Sequence, residues 1–371
     1  MRLLIISSQP LVRTSTFIEL QFQYLQPYKI LHTGYKPYVC DGKSIFKFPL
    51  NINLVRIFFK RLLPFFYTSF YNKSLQKYLL KNKFDVVLCN YGTQGSNVSP
   101  ACYKVGVPLI VHFHGYDAYT YSILKKYNKK YKAMFRQATR FIVGSEDMVR
   151  HLVSLGAPKE KIVKILCGFD ARFFVETDPE KNDKRLLFVG RFTEKKAPDI
   201  LIQAFNHALK KVPDALLIMI GDGELFDGIS AMIKNMGLEK SVQLMGWQSS
   251  EIVSQEIKKA RAYVQHSRVA KNGDSEGTAI TILEAGGSGV PVVSTRHAGI
   301  KETVIDGVTG YLCEEGDWES MGNNMVKLLQ DPKLAGEMGR AARAHVLANH
   351  TVDKQMKMIE DTMNNVLIKN L

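Results

Sequence analysis

Cysteine is scarce in this chain of 371 residues, and its few positions are scattered. The cysteines are odd in number, and no two have the close spacing that is typical of a zinc site or a redox dithiol. This usage predicts a reducing, cytosolic compartment. The positions are Cys40, Cys89, Cys102, Cys167 and Cys313.

Long apolar runs are also missing. No stretch approaches the roughly 18 consecutive apolar residues that a membrane-spanning helix needs. The apolar start, Met1–Ser7, is shorter than the core of a secretory signal and is typical of a buried first strand. We therefore expect neither a membrane span nor a leader.

Carboxylates are few in the first half, so the charge is unevenly divided. Residues 1–175 hold 26 Lys and Arg against 8 Asp and Glu, whereas the remainder holds 24 against 27. The first part therefore carries a formal charge of +18 and the second part −3. This asymmetry predicts an anionic partner for the first part: a membrane surface, a nucleic acid or a phosphorylated acceptor. Charge alone does not choose among them.

The chain does contain apolar material for two domains, because 46% of its residues are hydrophobic. In both halves short apolar runs alternate with amphipathic segments, which predicts two doubly wound α/β domains with mostly parallel sheets. The predicted strands are Leu3–Ile6, Val86–Cys89, Leu109–His112, Phe141–Val143, Leu186–Val189, Leu216–Ile220, Val242–Met245, Ala262–Gln265 and Val290–Ser294.

A polar stretch, Glu176–Lys184, separates the two halves. We predict one domain over residues 1–178, a second over 179–351, and a last helix over 352–371. Ligands of such sheets bind beyond the carboxyl ends of the strands, so a cleft between the domains is the expected site.

The segment from Asp274 to Ala285 predicts a loop followed by a helix. Thr278 is placed to cap this helix, and Gly277 would allow a ligand to approach closely. Free amides and the positive end of a helix dipole form an anion site, which a diphosphate fits. The amides predicted to be unpaired are those of Ala279, Ile280 and Thr281.

Two carboxylates bracket this feature, Glu276 before the helix and Glu284 inside it. Both are able to accept hydrogen bonds from hydroxyl groups. In the alternative interpretation Thr281 and Glu284 form an ordinary capping box, and Glu276 is a solvated loop carboxylate.

A second element offers cations at the carboxyl end of a predicted strand. The strand ending at Val189 runs into Gly190–Pro198, which contains Arg191 and Lys196. The planar fork of an arginine and the mobile charge of a lysine together suit two phosphates. The alternative for this segment is a solvated basic turn.

Together these motifs resemble those of the family 4 retaining glycosyltransferases of the GT-B fold, a family of bacterial polysaccharide and glycolipid synthesis. Glu276 and Glu284 match the family's two glutamates separated by seven residues. The resemblance covers essentially the whole chain, and it implies that the last helix, 352–371, packs back onto the first domain. Its other motifs, all in family order, are Gly190–Lys196, Gly221–Gly223, Gly246–Trp247 and Thr309–Leu312.

The resemblance implies roles for individual residues. Glu284 would hold the ribose, Glu276 the transferred sugar, and Arg191 with Lys196 the diphosphate. In the first domain His112–Asp117 resembles the family's His-Gly-x-Asp element, which places His114 near the anomeric carbon, while His112 would point into the fold.

The implied reaction transfers a hexosyl group, with retention, from a nucleoside diphosphate sugar to a glycan or polyprenyl-diphosphate-linked acceptor in exopolysaccharide synthesis. No Asp-x-Asp pair occurs in the sequence, so we expect neither a metal nor another cofactor. Two departures from the family are Ala279 in place of a proline and a first loop without paired glycines. The resemblance would place Ser15 and Thr16 of that loop on the acceptor side.

Two basic, aromatic segments of the first domain, Arg56–Tyr67 and Lys125–Lys132, predict attachment to the anionic inner face of the plasma membrane. The alternative is ordinary helices with a solvated basic face. For the whole protein, alternatives are a sugar-nucleotide epimerase or hydrolase on the same fold, an inactive nucleotide-sugar binder, or a nucleic-acid-binding module. We expect no nucleic acid partner, because no recognisable motif for one occurs.

Overall fold

A computed structural model describes residues 1–8, 16–33, 39–40, 43–45, 64–172, 174 and 176–368. The chain forms two compact units. The first consists of Met1–Gly144, Met148–Ile165 and Met356–Leu371, and the second of Ser145–Asp147 and Leu166–Gln355.

The first unit is built on a sheet in the order β4-β3-β2-β1-β5-β6-β7-β8. Two short strands, β3 and β4, pair antiparallel at one edge, and the others are parallel. These strands are β1 Leu3–Ser7, β2 Lys29–His32, β3 Val39–Cys40, β4 Lys43–Ser44, β5 Val86–Asn90, β6 Leu109–His112, β7 Arg140–Val143 and β8 Ile162–Lys164. Helices that precede the second sheet are α1 Thr16–Leu25, α2 Pro64–Asn82, α3 Gly92–Val105, α4 Tyr116–Tyr119, α5 Tyr121–Gln137 and α6 Glu146–Ser154.

The second unit has a fully parallel sheet in the order β11-β10-β9-β12-β13-β14. Its strands are β9 Arg185–Val189, β10 Leu216–Ile220, β11 Val242–Gly246, β12 Ala262–Val264, β13 Val292–Thr295 and β14 Gly310–Cys313. The remaining helices are α7 Pro198–Leu209, α8 Phe226–Asn235, α9 Ser250–Lys259, α10 Ile280–Gly287, α11 Ile300–Thr303, α12 Trp318–Gln330, α13 Pro332–Asn349 and α14 Val352–Ile368. The strand order reverses between β9 and β12, so loops diverge there and leave a crevice at the carboxyl ends.

Burial on both faces explains the continuous apolar strands. In β9, Leu186 and Phe188 pack into one hydrophobic cluster, whereas Leu187 and Val189 pack into another on the opposite face. Successive side chains of a strand point to opposite faces, so a strand covered on both sides is apolar over most of its length. Burying each such side chain contributes about 1.5–3 kcal/mol.

The nine predicted strands are present, with ends that differ by up to two residues. The short strands β2, β3, β4 and β8 were not predicted, and β14 was noted only as the motif Thr309–Leu312. Among the described residues, no helix is both long and apolar enough to cross a bilayer.

The division between the units lies at Ile165, before the boundary predicted at residue 178. The intervening segment belongs to the second unit because its aromatic residues Phe169 and Phe174 pack in the same cluster as Leu187. Thr177 N–H also donates to the carbonyl oxygen of Ser288 at 2.9 Å. The last helix, α14, begins at the predicted Val352, and from Met356 it belongs to the first unit.

Candidate functional site

The candidate site of the second unit begins where β9 ends. Gly190 follows β9, and its N–H donates to the carbonyl oxygen of Ile220 at 2.9 Å. Gly221 crosses directly over Gly190 with a φ of 136°, and a Cβ at Gly221 would lie 1.9 Å from the Gly190 carbonyl oxygen. Only glycine fits this approach, so the two loops are held together by their backbones.

A tight turn after β9 directs Lys196 back toward the sheet. Glu194–Lys196 forms a 3₁₀ turn, Ala197 adopts a left-handed conformation with φ 39°, and Pro198 opens α7. The ammonium of Lys196 lies 3.3 Å from Glu276 Oε1 and donates to Gln265 Oε1 at 3.2 Å. Two residues far apart in sequence, Lys196 and Glu276, are thereby brought into contact.

Glu276 is a buried carboxylate, with only 6% of its surface exposed. Burial alone would raise its pKa, but the positive charges of Lys196 and Lys195 outweigh burial and lower the pKa to about 2. Lys195 is itself paired with Asp274 at 3.2 Å. The interpretation of Glu276 as a solvated loop carboxylate is therefore wrong.

Helix α10 starts beside this ion pair, but Thr278 does not cap it. The residue before the helix is Ala279, with φ −80° and ψ 95°, and no side chain caps the first turn. The carbonyl oxygen of Gly277 and the hydroxyl of Thr278 lie against Gly299, where a Cβ would come within 2.6 Å of that carbonyl. Helix α10 begins at Ile280, so Thr278 lies one residue before the capping position.

The missing cap leaves the predicted anion site in place. Among the described residues, no acceptor contacts the amides of Ala279, Ile280 and Thr281. The capping box proposed as an alternative is wrong, because the Thr281 hydroxyl lies 2.8 Å from the Tyr263 hydroxyl instead. Unpaired amides at a helix N-terminus bind anions.

Glu284 lies one turn inside α10 and is only partly buried. Burial raises its pKa to about 7, and within the described part of the chain no donor contacts the carboxylate to oppose that shift. Glu276 and Glu284 thus have opposite electrostatic states, one held ionised by lysines and the other close to half protonated at neutral pH.

Arg191 lies in the loop that follows β9, and its side chain is exposed. Its charge is near enough to Lys196 to help lower that lysine's pKa, after the larger effect of burial. Among the residues described, its guanidinium has no ion-pair or hydrogen-bond partner. It is therefore available to an external anion.

Three polar residues of this site were not predicted as functional. Tyr263, fully buried, contacts the side chains of Gln265 at 2.9 Å and of Thr281, and so links the Lys196 loop to α10. His297, 2% exposed, follows β13 and contacts Glu276. The available signal was their position, since polar side chains at the carboxyl ends of parallel strands surround the switch point.

In the first unit, the partly buried His114 is linked to a chain of buried polar side chains. Its Nε2 lies 2.8 Å from Asn90 Oδ1, Asn90 Nδ2 donates to Gln21 Oε1 at 2.9 Å, and Gln21 Nε2 lies 3.1 Å from His112 Nδ1. Because an amide oxygen only accepts, the contact with Asn90 Oδ1 assigns a proton to Nε2 of His114. His112 points into the fold, as predicted, with 2% exposure.

Asp117 fixes the backbone around His114. Its carboxylate accepts from the N–H of Gly92 at 2.6 Å and of His114 at 2.9 Å. Burial raises the pKa of Asp117 to about 6, although these amide donors oppose the rise. Burial, with His112 close by, lowers the pKa of His114.

Three parts of the sequence prediction concern residues that the structure does not describe. Ser15, the side chain of Thr16 and residues 56–63 of the first basic segment lie outside the described residues. Within the described ranges, no group of three or more His, Cys, Asp or Glu side chains is arranged to hold a metal ion. Metal independence remains a prediction.

Two doubly wound units, the second with cations and a free helix N-terminus at its switch point, define the GT-B class of fold. Two family models divide the chain between them. "Glycosyltransferase Family 4" matches residues 33–173, and "Glycosyl transferases group 1" matches residues 170–345. The chain therefore belongs to the glycosyltransferase family that these models describe.

Individual relatives agree with this assignment. The amylovoran biosynthesis glycosyltransferase AmsK of Erwinia amylovora is 30% identical over 236 residues, which cover 63% of this chain and 58% of that protein. An Escherichia coli UDP-Gal:alpha-D-GlcNAc-diphosphoundecaprenol alpha-1,3-galactosyltransferase is 26% identical over 308 residues, 78% of this chain and 77% of that protein. The match to AmsK thus spans less than two thirds of that relative.

A solved structure shares the fold. Anabaena HepE, in complex with UDP and glucose, superposes with a TM-score of 0.77 at 18% identity, covering 98% of this chain and 99% of that chain. At this identity the likeness establishes the fold alone.

Proposed function

We propose that this protein transfers a hexosyl group, with retention of configuration, from a nucleoside diphosphate sugar to a hydroxyl of a glycan or polyprenyl-diphosphate-linked acceptor. The reaction would belong to exopolysaccharide synthesis. The observation that carries the proposal is the buried Lys196–Glu276 ion pair, set beside the unpaired amides of α10 and the Glu284 carboxylate.

The diphosphate would bind between the helix amides and the cations. Amides of residues 279–281 offer donors along the positive end of the helix, and Arg191 offers an unpaired fork. Lys196, already beside Glu276, can bridge the sugar-binding carboxylate and the phosphate. Each such preorganised donor stabilises charge that develops on the leaving group, by roughly 3–4 kcal/mol in a dry site.

The chemical step breaks the bond between the anomeric carbon and the phosphate oxygen and forms a bond from that carbon to the acceptor oxygen. In the proposed mechanism, a leaving phosphate oxygen takes the acceptor proton, which preserves charge balance without a protein nucleophile. Glu276, ionised because Lys196 and Lys195 hold its pKa at about 2, would accept hydrogen bonds from sugar hydroxyls. His114 is proposed to face the sugar, a role that rests on the family resemblance.

The acceptor would be reached at the anionic inner face of the plasma membrane. Helix α5 supports this, because Tyr121–Gln137 contains six cations and no carboxylate. Lys125, Lys129 and Lys132 are all exposed, and their spacing places them on one face of the helix. The name of the E. coli relative, which specifies a diphosphoundecaprenol acceptor, agrees with a lipid-linked substrate.

The first test is thermal stabilisation across UDP, GDP, ADP, CMP and their sugar conjugates. A ligand at about 100 times its dissociation constant adds roughly 2.7 kcal/mol of stability. We expect one nucleoside diphosphate to stabilise the parent and the exposed-site control Glu337→Ala, but not Glu284→Ala. NMR of the product formed from the matching donor then reports its anomeric configuration.

Other outcomes would replace the proposal. Free sugar without transfer indicates a hydrolase, an altered sugar nucleotide indicates an epimerase, and binding without turnover indicates an inactive binder. Stabilisation by RNA or DNA, with none by nucleotides, would move the functional surface to the basic first unit.

A further inference from the structure

We propose that His297 and Glu315 are positioning residues that hold Glu276 in the orientation needed to bind the transferred sugar. Neither residue belongs to the motifs that carry the family resemblance. The inference rests on the proposed function, since it concerns the carboxylate assigned there to the sugar.

His297 contacts the backbone of the Glu276 loop from behind. Its Nε2 accepts from the N–H of Glu276 at 3.2 Å and lies 2.9 Å from the hydroxyl of Ser275. An amide N–H only donates, so Nε2 must be the acceptor and the ring proton lies on Nδ1. That proton is donated to Glu315 Oε1 at 2.6 Å.

Glu315 is in turn fixed by its own neighbours. Its second oxygen, Oε2, accepts from the N–H of Val269 at 3.0 Å. The next residue, Gly316, donates its N–H to Nε2 of the fully buried His266 at 2.9 Å. Because three strand ends contribute to these contacts, the orientation of the His297 ring does not depend on one flexible loop.

Burial makes this arrangement costly to disturb. His297, Ser275 and Glu276 are 2%, 5% and 6% exposed. Without the imidazole acceptor, the buried Glu276 amide would lose its hydrogen bond and have little access to water. Glu276 is therefore held on two sides, its backbone by His297 and its carboxylate by Lys196 at 3.3 Å.

The groups that we assign to the nucleotide belong to a different element of the fold. Glu284 and the free amides belong to α10, which has its own helical hydrogen bonds, whereas the ring of His297 contacts Ser275, Glu276 and Glu315. Loss of the His297 acceptor should therefore weaken recognition of the sugar and leave recognition of the nucleotide. A residue with a purely structural role would affect both ligands alike.

The experiment compares two amide variants of the full-length protein. In His297→Gln the side-chain oxygen reaches the position of Nε2 and can accept from the Glu276 amide, whereas in His297→Asn the amide reaches only the Nδ1 position. Dissociation constants are measured for UDP against UDP-glucose and GDP against GDP-mannose, together with kcat and KM for the active donor.

We expect His297→Asn to weaken binding of the sugar nucleotide and to lower kcat/KM, each by roughly tenfold, the scale of one buried hydrogen bond. Binding of the free diphosphate should change by less than about twofold. His297→Gln should recover most of the loss. Glu315→Ala should resemble the Asn variant, and Glu315→Gln, which keeps an acceptor for Nδ1, should resemble the parent.

Equal weakening of free and sugar-conjugated nucleotide, or no difference between the Asn and Gln variants, would overturn the positioning role. Glu315→Ala keeps the measurement decisive if His297→Asn fails to fold, because Glu315 is far less buried than His297. A parent protein that binds no nucleotide at all would instead overturn the proposed function, which distinguishes the two failures.

Discussion

At the scale of single residues, Glu284 is the group whose protonation should be visible in solution. Its pKa is raised to about 7 by burial, so the folded protein binds a proton more tightly than the unfolded chain between the ordinary value of 4.5 and 7. The stability that this group contributes is therefore present at low pH and falls as pH rises through that window. For Glu276 the pH dependence has the opposite sign because its pKa is lowered. The stability that Glu276 contributes therefore falls as pH drops from 4.5 toward 2.

A ribose hydroxyl donates best to an ionised carboxylate, so nucleotide binding should select the deprotonated form of Glu284. We expect nucleoside diphosphate affinity to rise by up to about tenfold per pH unit below pH 7 and to level off above it. Titration calorimetry between pH 5.5 and 8.5 measures this slope. In Glu284→Gln the slope should vanish, and a slope that persists there would assign the titration to another group.

At the scale of elements, the crossing of two glycine loops holds β9 and β10 in register at the site. Substituting Gly221→Ala should destabilise the protein by more than about 1 kcal/mol, because φ is 136° and the new Cβ meets the Gly190 carbonyl at 1.9 Å. Chemical denaturation measures the loss, and nucleotide binding should weaken with it, since the displaced Gly190 leads into the Lys196 turn.

The matched control is Gly228→Ala in α8, where a Cβ meets nothing within 4 Å. Replacing a helical glycine in open space should stabilise the protein by about 0.5–1 kcal/mol. Equal effects of the two substitutions would mean that the crossing of Gly221 over Gly190 does not constrain the site.

At the scale of the whole molecule, the division of charge gives a test of membrane attachment. Changing three exposed lysines of α5 to glutamates should lower the partition onto phosphatidylglycerol vesicles, measured by sedimentation, by more than about a hundredfold. Each lysine near an anionic leaflet contributes about 1 kcal/mol, and each glutamate adds repulsion. The substitutions are Lys125→Glu, Lys129→Glu and Lys132→Glu.

A control with the same change in net charge carries the substitutions in the second unit. Its positions, all exposed, are Lys234, Lys240 and Lys333. The control should bind vesicles like the parent. If both triple variants lose binding to the same extent, net charge rather than the face of α5 accounts for attachment.

The sequence by itself determined the two doubly wound units and the order of the chemical groups along the chain. Buried strands such as β9 read as uninterrupted apolar runs because both of their faces are covered, and the residues that follow them are polar because they line a crevice. For that reason the local pattern made Lys196, Glu276 and Glu284 candidate site residues, and the family resemblance supplied the roles proposed for them.

Only the tertiary structure decided which groups meet. The Lys196–Glu276 contact and the His297–Glu315 support join strand ends that are distant in sequence, and no local periodicity encodes such pairs. The cap at Thr278 was mispredicted because α10 begins at Ile280, which puts Ala279 at the capping position, and a sequence pattern does not fix a helix end to one residue. Short strands such as β3 were missed because two residues carry no alternation, and pairing with neighbouring strands alone makes them strands.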